Sequence, residues 1–297
     1  MRTHNESSQV PANGHVGTAT TGRPHCGYFV PIVKIAHFLR AGCKVKILLA
    51  DIHGFLDNIK APELLVGFRA EYYKHVITAL LKSVNVPIEK LEFVLGSSYQ
   101  RSEKYRRDLD IMTTVVGVND AKRAGAEVVK QVENPMLSSL IYPLMQALDE
   151  EHLDVDAQFG GVDQRKIFTL AGEQLPRIGY KERAHLMNPM VPGLAGGKMS
   201  ASDPDSKIDV LETSDNVKRK LKKAHAAPKE VEGNGIISFV EYVLLPVSAL
   251  KGGSQGNFVV ERRDGEPLMY RDIATLKKDY EADIVSPKDD WVVLRVT

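Results

Sequence analysis

Cysteine is scarce in this chain: Cys26 and Cys43 are the only two among 297 residues. Two thiols at that spacing make neither a disulfide framework nor a metal-ligand pattern, which fits a reducing compartment. Long apolar runs are missing as well. No stretch approaches the roughly 18 apolar residues needed to cross a bilayer, so no membrane partner is expected. Charge of one sign is also lacking, since 39 basic residues face 38 acidic ones and leave a net charge of +1. That balance excludes an overall basic surface and leaves local patches as the only route to nucleic acid. The first 14 residues, MRTHNESSQVPANG, have no apolar core and therefore no secretory signal; they read as a disordered segment.

What is present fits a globular α/β protein. Hydrophobic residues make up 43% and charged residues 26%, and the length suits one large domain or two ordinary ones. KVKILLADIHGFLDN (44–58) opens with a continuous apolar run, the mark of a buried parallel strand. Asp51 and His53 follow it, at the edge of an open sheet where ligands bind. A helix starting at Pro62 is expected to bury Leu64, Leu65, Phe68, Tyr72, Val76 and Leu80. LEFVLGS (91–97) is the next strand, and a charged stretch over 101–135 ends in the helical AKRAGAEVVKQVE. This alternation implies a doubly wound parallel sheet.

The centre of the chain is IYPLMQALDEEHLDVDAQFGGVDQ (141–164). Tyr142, Gln146 and Asp149 fall at i, i+4 and i+7, so one helix face presents a phenol, an amide and a carboxylate. Leu140, Leu144, Ala147 and Leu148 supply an apolar side. A short strand and the Gly160–Gly161 pair lead to a second helix with Asp163 and Gln164 in its first turn. Spacing alone leaves two readings open, a pocket for a small polar ligand or a solvated face.

Two loops flank this centre. GTATTGRPHCGYFVPIVKIAHFLRAG (17–42) places small residues and His25 before a helix N-terminus, an arrangement that suits phosphate. LAGGKMSASD carries one cation, Lys198, among glycines and serines, as in a mobile arm closing on polyphosphate; an ordinary solvent loop has the same composition. After 210 the composition shifts. SDNVKRKLKKAHAAP packs five basic residues into one helix, a solvated face or a track along a phosphate backbone. GIISFVEYVLLPVSAL (235–250) is an apolar helix in need of a packing partner.

Together, HCGY and KMSAS in this order resemble the two signature motifs of class I aminoacyl-tRNA synthetases. ILLADIHGFLDN, AKRAGAEVVKQVE, YPLMQALDEEHLDVDAQFGGVDQRKIF and HLMNPMVPGL resemble the tyrosyl-tRNA synthetases of eukaryotes and archaea, over residues 17 to about 289. The resemblance implies a Rossmann-like catalytic domain over 15–210, with a connective and dimer region at 101–135. An incomplete helical anticodon-binding domain would follow over 211–297. It also implies a cytoplasmic tyrosine–tRNA ligase that uses L-tyrosine, ATP with Mg²⁺ and tRNA(Tyr), acting as a homodimer, with no metal held by the protein itself.

Residue by residue, the resemblance makes Tyr142, Gln146, Asp149 and Gln164 the tyrosine site, with Asp149 accepting from the phenol. His25 and Lys198 become the catalytic polyphosphate contacts. Gly17, Thr20, Gly27, Tyr28, Met199, Ser200 and Ser202 complete the ATP site, and Asp289 meets the anticodon. The pattern departs in three places. His15 stands where the family has a second phenol reader, and the preceding Pro-Ala-Asn-Gly is not expected to supply a strand. Ala201 replaces a lysine common in class I enzymes. DDWVVLRVT does not match the family's continuation. Two alternatives follow: a weak or silent synthetase fragment acting by binding, and a tryptophanyl-tRNA synthetase.

Overall fold

The computed structural model describes residues 13–20, 22–57, 63–129, 133–194, 196, 206–252, 256–262 and 265–285. Lys198, Met199, Ser200, Ala201, Ser202 and Asp289 lie outside the described residues, as do residues 1–12 and the final segment DDWVVLRVT. The chain divides into two compact units. One draws on the described residues within Met1–Thr21, His37–Lys74 and Pro87–Met187, the other on those within Gly22–Ala36, His75–Val86 and Asn188–Thr297.

The first unit holds a five-stranded sheet in the order β3-β2-β1-β4-β5, with β1 at Asn13–Thr18, β2 at Lys44–Leu49, β3 at Leu91–Leu95, β4 at Ala157–Gly161 and β5 at Ala184–Asn188. Strand β1 pairs in parallel with both β2 and β4, and β2 with β3. Asn13 and Gly14, read from sequence as disordered turn material, instead begin the central strand. Two parallel neighbours explain this: Asn13 donates its amide to Asp156 Oδ2 at 2.9 Å and accepts from the Asp156 amide at 2.8 Å. Local turn propensity yields to a ladder available on both sides.

Helix α1 spans Phe29–Arg40 and ends at Gly42, whose φ of 88° is the left-handed conformation glycine adopts cheaply. Helix α2 is Asp51–Leu56 and α3 is Glu63–Ser83. The expected stripe of α3 is buried in its second half, at Val76 and Leu80, and departs in its first; the Leu64 side chain lies outside the described residues. Phe68 is 78% exposed and Leu65 is exposed, whereas Val66, Ala70, Tyr73, Ile77 and Leu81 are buried. Both sets satisfy the 3.6 period because this helix carries apolar residues on more than one side.

Helices α4 (Ser97–Gln100), α5 (Glu103–Val115), α6 (Val118–Gly125), α7 (Leu137–His152) and α8 (Arg165–Gln174) complete the layer that builds the site. Ser102 caps α5 by accepting the Tyr105 amide. The apolar side of α7, with Leu144, Ala147 and Leu148, joins Leu109 and Met112 of α5 and Ile167 of α8 in one buried cluster. Removing some 25 cal/mol of stabilisation per Å² would follow exposure of that surface, which is what fixes the rotation of α7 about its axis.

In the second unit, α9 (Ser214–Lys223), α10 (Gly235–Phe239), a π-helical turn over Val240–Leu244, α11 (Leu245–Gly252) and α12 (Ile273–Glu281) accompany the antiparallel pair β6 (Phe258–Val260) and β7 (Leu268–Tyr270). The apolar 235–250 helix finds its partner here: Ile237, Val240 and Leu245 pack with Phe258, Leu276 and Tyr280. Asn234 caps α10 through the Ile236 and Ile237 amides and donates to the Tyr280 hydroxyl at 3.2 Å.

Candidate active site

The polar comb of α7 is not a solvated face. Asp149 is fully buried and Tyr142 is buried, because the apolar stripe that holds the helix down turns them inward. Three donors converge on Asp149 Oδ1: the Tyr99 hydroxyl at 2.7 Å, Gln100 Nε2 at 2.8 Å and the Tyr105 hydroxyl at 3.0 Å. Oδ2 has no hydrogen-bond partner although it is buried. Burial pushes the Asp149 carboxyl up to about 7 against the pull of those three donors, with Glu150 adding to the rise. A buried carboxylate oxygen without a donor is costly, so the site is built to receive one.

Tyr142 meets His53 of α2 edge-on, with ring centroids 4.7 Å apart. Burial, then Asp57, Asp149 and Asp163, holds its phenol above the usual range. Gln146 donates to Gln164 Oε1 at 2.9 Å, joining the comb to the turn after β4. Gly160 makes this approach possible: a Cβ there would stand 3.0 Å from Gln164 Cγ and 3.2 Å from Phe168 Cζ.

His15 lies on β1 in a cross-strand row with Lys46 and Gln158. It is fully buried, and neither ring nitrogen has a hydrogen-bond partner. Burial, reinforced by His185, Arg183 and Lys46, lowers its pKa to about 3, so the ring is neutral. Gln158 Oε1 is similarly without a partner. Gly17 is exposed at the end of the same strand, and Thr20 is buried just beyond it.

In the second unit, His25 accepts the Gly27 amide at 3.2 Å and so caps the single 3₁₀ turn Cys26–Tyr28 that opens α1. Residues Ile208 and Asp209 meet this turn. Cys26 donates its amide to the Ile208 carbonyl at 2.8 Å, and His25 bridges to Asp209 in antiparallel fashion. Desolvation, with Lys207, lowers the His25 pKa against the opposing pull of Asp209, which leaves a neutral ring available as donor. Helix α9 turns Lys218, Arg219, Lys222 and Lys223, with Asp215, toward a depression of about 460 Å³. Lys220 faces inward instead, bonded to the Lys207 carbonyl and Glu212, each at 2.8 Å.

The structure thus gathers Tyr142, Gln146, Asp149 and Gln164 in one unit and builds the turn of His25, Gly27 and Tyr28 in the other. Sequence reasoning missed Tyr99, Gln100, Tyr105 and His53 as partners of the comb. The signal for His53 was its place after the β2 strand, while the other three sat at the margin of a stretch notable only for its charge.

A five-stranded sheet with parallel pairing at its centre and a buried polar comb on the helix before β4 fit the fold of a class I synthetase. Residues 8–289 match the family model described as tRNA synthetases class I (W and Y), and the chain belongs to that family. Several of its relatives fall on the tyrosine side. It is 60% identical over 277 residues to the cytoplasmic tyrosine–tRNA ligase of Saccharomyces cerevisiae, which covers 92% of this chain and 70% of that protein. It is 55% identical to the Gallus gallus enzyme of the same name, over 92% of this chain and 51% of that protein. Among solved structures, tyrosyl-tRNA synthetase from Archaeoglobus fulgidus, complexed with L-tyrosine, superposes with a TM-score of 0.84. It is 37% identical, covering 93% of this chain and 83% of that one. The chain therefore spans about two thirds of the yeast protein and about half of the chicken protein.

Proposed function

We propose that the chain activates L-tyrosine with ATP and transfers it to tRNA(Tyr). The observation that carries this reading is Asp149: a buried carboxylate with one oxygen held by three donors and the other unsatisfied. The phenol of tyrosine supplies the missing donor. Phenylalanine leaves Oδ2 unpaired, at a cost of ~1–3 kcal/mol or more for a charged group, and is rejected on that account. Tyr142, Gln146 and Gln164 hold the amino-acid end, and His15 offers a neutral ring nitrogen from the strand.

In the first step a tyrosine carboxylate oxygen bonds to the α-phosphorus of ATP as the bond to the bridging oxygen of pyrophosphate breaks. The nucleophile is already ionised, so no general base is needed, and catalysis rests on orientation and on charge stabilisation. His25 and Lys198 take the polyphosphate contacts; Gly17, Thr20, Gly27, Tyr28, Met199, Ser200 and Ser202 line the nucleotide. Mg²⁺ arrives as part of the ATP substrate. In the second step a hydroxyl at the 3′ end of the tRNA attacks the tyrosyl carbonyl carbon, and AMP leaves. Helix α9 follows the tRNA phosphates and Asp289 reads the anticodon. The 101–135 region forms a homodimer contact, and the names of the relatives support a cytoplasmic setting.

Tyrosine-dependent ATP–pyrophosphate exchange tests the reading, with Asp149→Ala and tryptophan as controls. Exchange with tyrosine alone, lost in the variant, supports it. Exchange with tryptophan in place of tyrosine moves the assignment to the other branch. The second reading, a weak or silent fragment acting by binding, draws on His15, whose unpartnered ring nitrogens replace the family's phenol. A folded chain with no exchange for either amino acid selects it.

A further inference from the structure

The donors around Asp149 do more than satisfy a buried charge, because all three fall on the same oxygen. A carboxylate free to rotate would present either oxygen to a ligand; one pinned through Oδ1 presents only Oδ2. Gln100 Nε2 reaches Oδ1 at 2.8 Å and Tyr99 at 2.7 Å. The Tyr105 hydroxyl, 3.0 Å from Oδ1, is also 2.9 Å from the Met145 carbonyl one helical turn earlier, so its single proton is shared between the two. Neither tyrosine is free to leave. The His152 ring stacks on Tyr99 with centroids 6.4 Å apart and lies 4.6 Å from Tyr105. His152 Nε2 is in turn 2.9 Å from Asp108 Oδ2, which accepts the Tyr180 hydroxyl at 2.6 Å.

We infer that Tyr99 and Tyr105, held by the His152–Asp108 pair, are positioning residues that select Oδ2 of Asp149 for the ligand and keep this carboxylate ionised. The ligand half of the inference rests on the reading of Asp149 as the acceptor of the tyrosine phenol. The titratable groups around Asp149 are His53 from α2, Tyr99 from α4, Tyr105 from α5, and Tyr142 and Glu150 from its own helix. Asp108 of α5 acts through His152, and α8 meets α7 through apolar Ile167 and Leu170. Burial and the neighbouring Asp149 hold both tyrosines far above the usual phenol range, so they remain donors at every working pH. Burial raises the Asp149 carboxyl to about 7, so loss of one donor moves its titration across neutrality.

The test is carboxyl-carbon NMR of the unliganded full chain labelled at aspartate, with the Asp149 signal assigned by its loss in Asp149→Asn. Tyr105→Phe and Tyr99→Phe are compared with the parent, the second guarding against a folding defect in the first. The Asp149 midpoint is expected to rise by about one pH unit in each variant. Equilibrium dialysis of radiolabelled tyrosine then shows roughly fivefold weaker binding at pH 7, with most of the difference recovered at pH 8.5, where the carboxylate is mostly ionised in all three. A merely structural role does not predict that recovery. Unchanged midpoints in both variants, or losses of affinity equal at the two pH values, overturn the inference. Shifted midpoints in a chain that binds no tyrosine uphold the control of ionisation and sink the ligand reading instead.

Discussion

His53 Nε2 lies 3.8 Å from Asp149 Oδ2, both atoms are buried, and neither has a hydrogen bond. The pair is close enough to interact but is not an ion pair at neutral pH. Burial lowers His53 to about 4, so the ring is neutral, while Asp149 titrates near 7. With Asp149 as the proposed acceptor of the tyrosine phenol, a single group is expected to control the acid limb of recognition. The expected outcome is a kcat/KM for tyrosine in pyrophosphate exchange that falls about tenfold per pH unit below about 7, with one proton taken up. A limb centred near 4 instead would assign the titration to His53.

The raised Asp149 carboxyl also sets a stability window. Its folded pKa lies above the ordinary 3.8, so between 3.8 and about 7 the native state binds the extra proton and stability falls as pH rises. Above 7 the penalty is complete. Asp149→Asn keeps an oxygen for Tyr99, Gln100 and Tyr105 and removes the charge. It is expected to raise the Tm at pH 8, with a ceiling of roughly 4 kcal/mol, by less at pH 5.5, and to abolish tyrosine activation. Thermal melts at the two pH values, beside an exchange assay, check the direction.

The polar comb was legible because it is local: Tyr142, Gln146 and Asp149 share a helix face at fixed spacing, although spacing alone left open whether that face lines a pocket or meets solvent. The β2 run and Gly42 were legible for the same reason. The donors to Asp149 were not, since Tyr99, Gln100 and Tyr105 lie 44 to 50 residues away in sequence. Periodicity carries no information about which distant side chains converge on one oxygen. Strand β1 was hidden differently. Asn13 and Gly14 favour a turn on their own, and only pairing with β2 and β4 makes them a strand. In α3, apolar residues fall on more than one side, and the tertiary surroundings bury Val76 and Leu80 of the expected stripe while leaving Phe68 outside.

His15 is a second source of pH dependence, with the opposite sign. Its folded pKa of about 3 lies below the ordinary 6.5, so its contribution is complete above 6.5 and is lost as pH falls, because the unfolded chain takes up a proton that the buried ring refuses. Its ring nitrogens are also unpaired. His15→Leu is expected to stabilise the chain by about 1 kcal/mol at pH 7, through removal of buried polar atoms without partners. The gain grows by about 2 kcal/mol at pH 5. Urea midpoints at both pH values measure it, and a gain that shrinks on acidification contradicts a neutral His15.

Gly160 connects backbone geometry to substrate affinity. The methyl group of Gly160→Ala would stand 3.0 Å from Gln164 Cγ and 3.2 Å from Phe168 Cζ, so one of them must move. Phe168 is stacked on His185 at 4.7 Å, and His185 is bonded to the fully buried Glu150 at 2.6 Å, which leaves that side little room. Gln164 has the looser hold, a single amide contact to Gln146, and it is the residue expected to yield. Loss of that contact frees Gln146 from its set orientation, and Gln146 is proposed to hold the amino-acid end of tyrosine. The expected effect is a KM for tyrosine raised about tenfold, the equivalent of one hydrogen bond, with kcat for exchange changed much less. Asp149 lies on another part of the comb, so its titration midpoint is expected to stay at the parental value. A fall in kcat at unchanged KM would place Gln164 in the chemical step rather than in holding tyrosine.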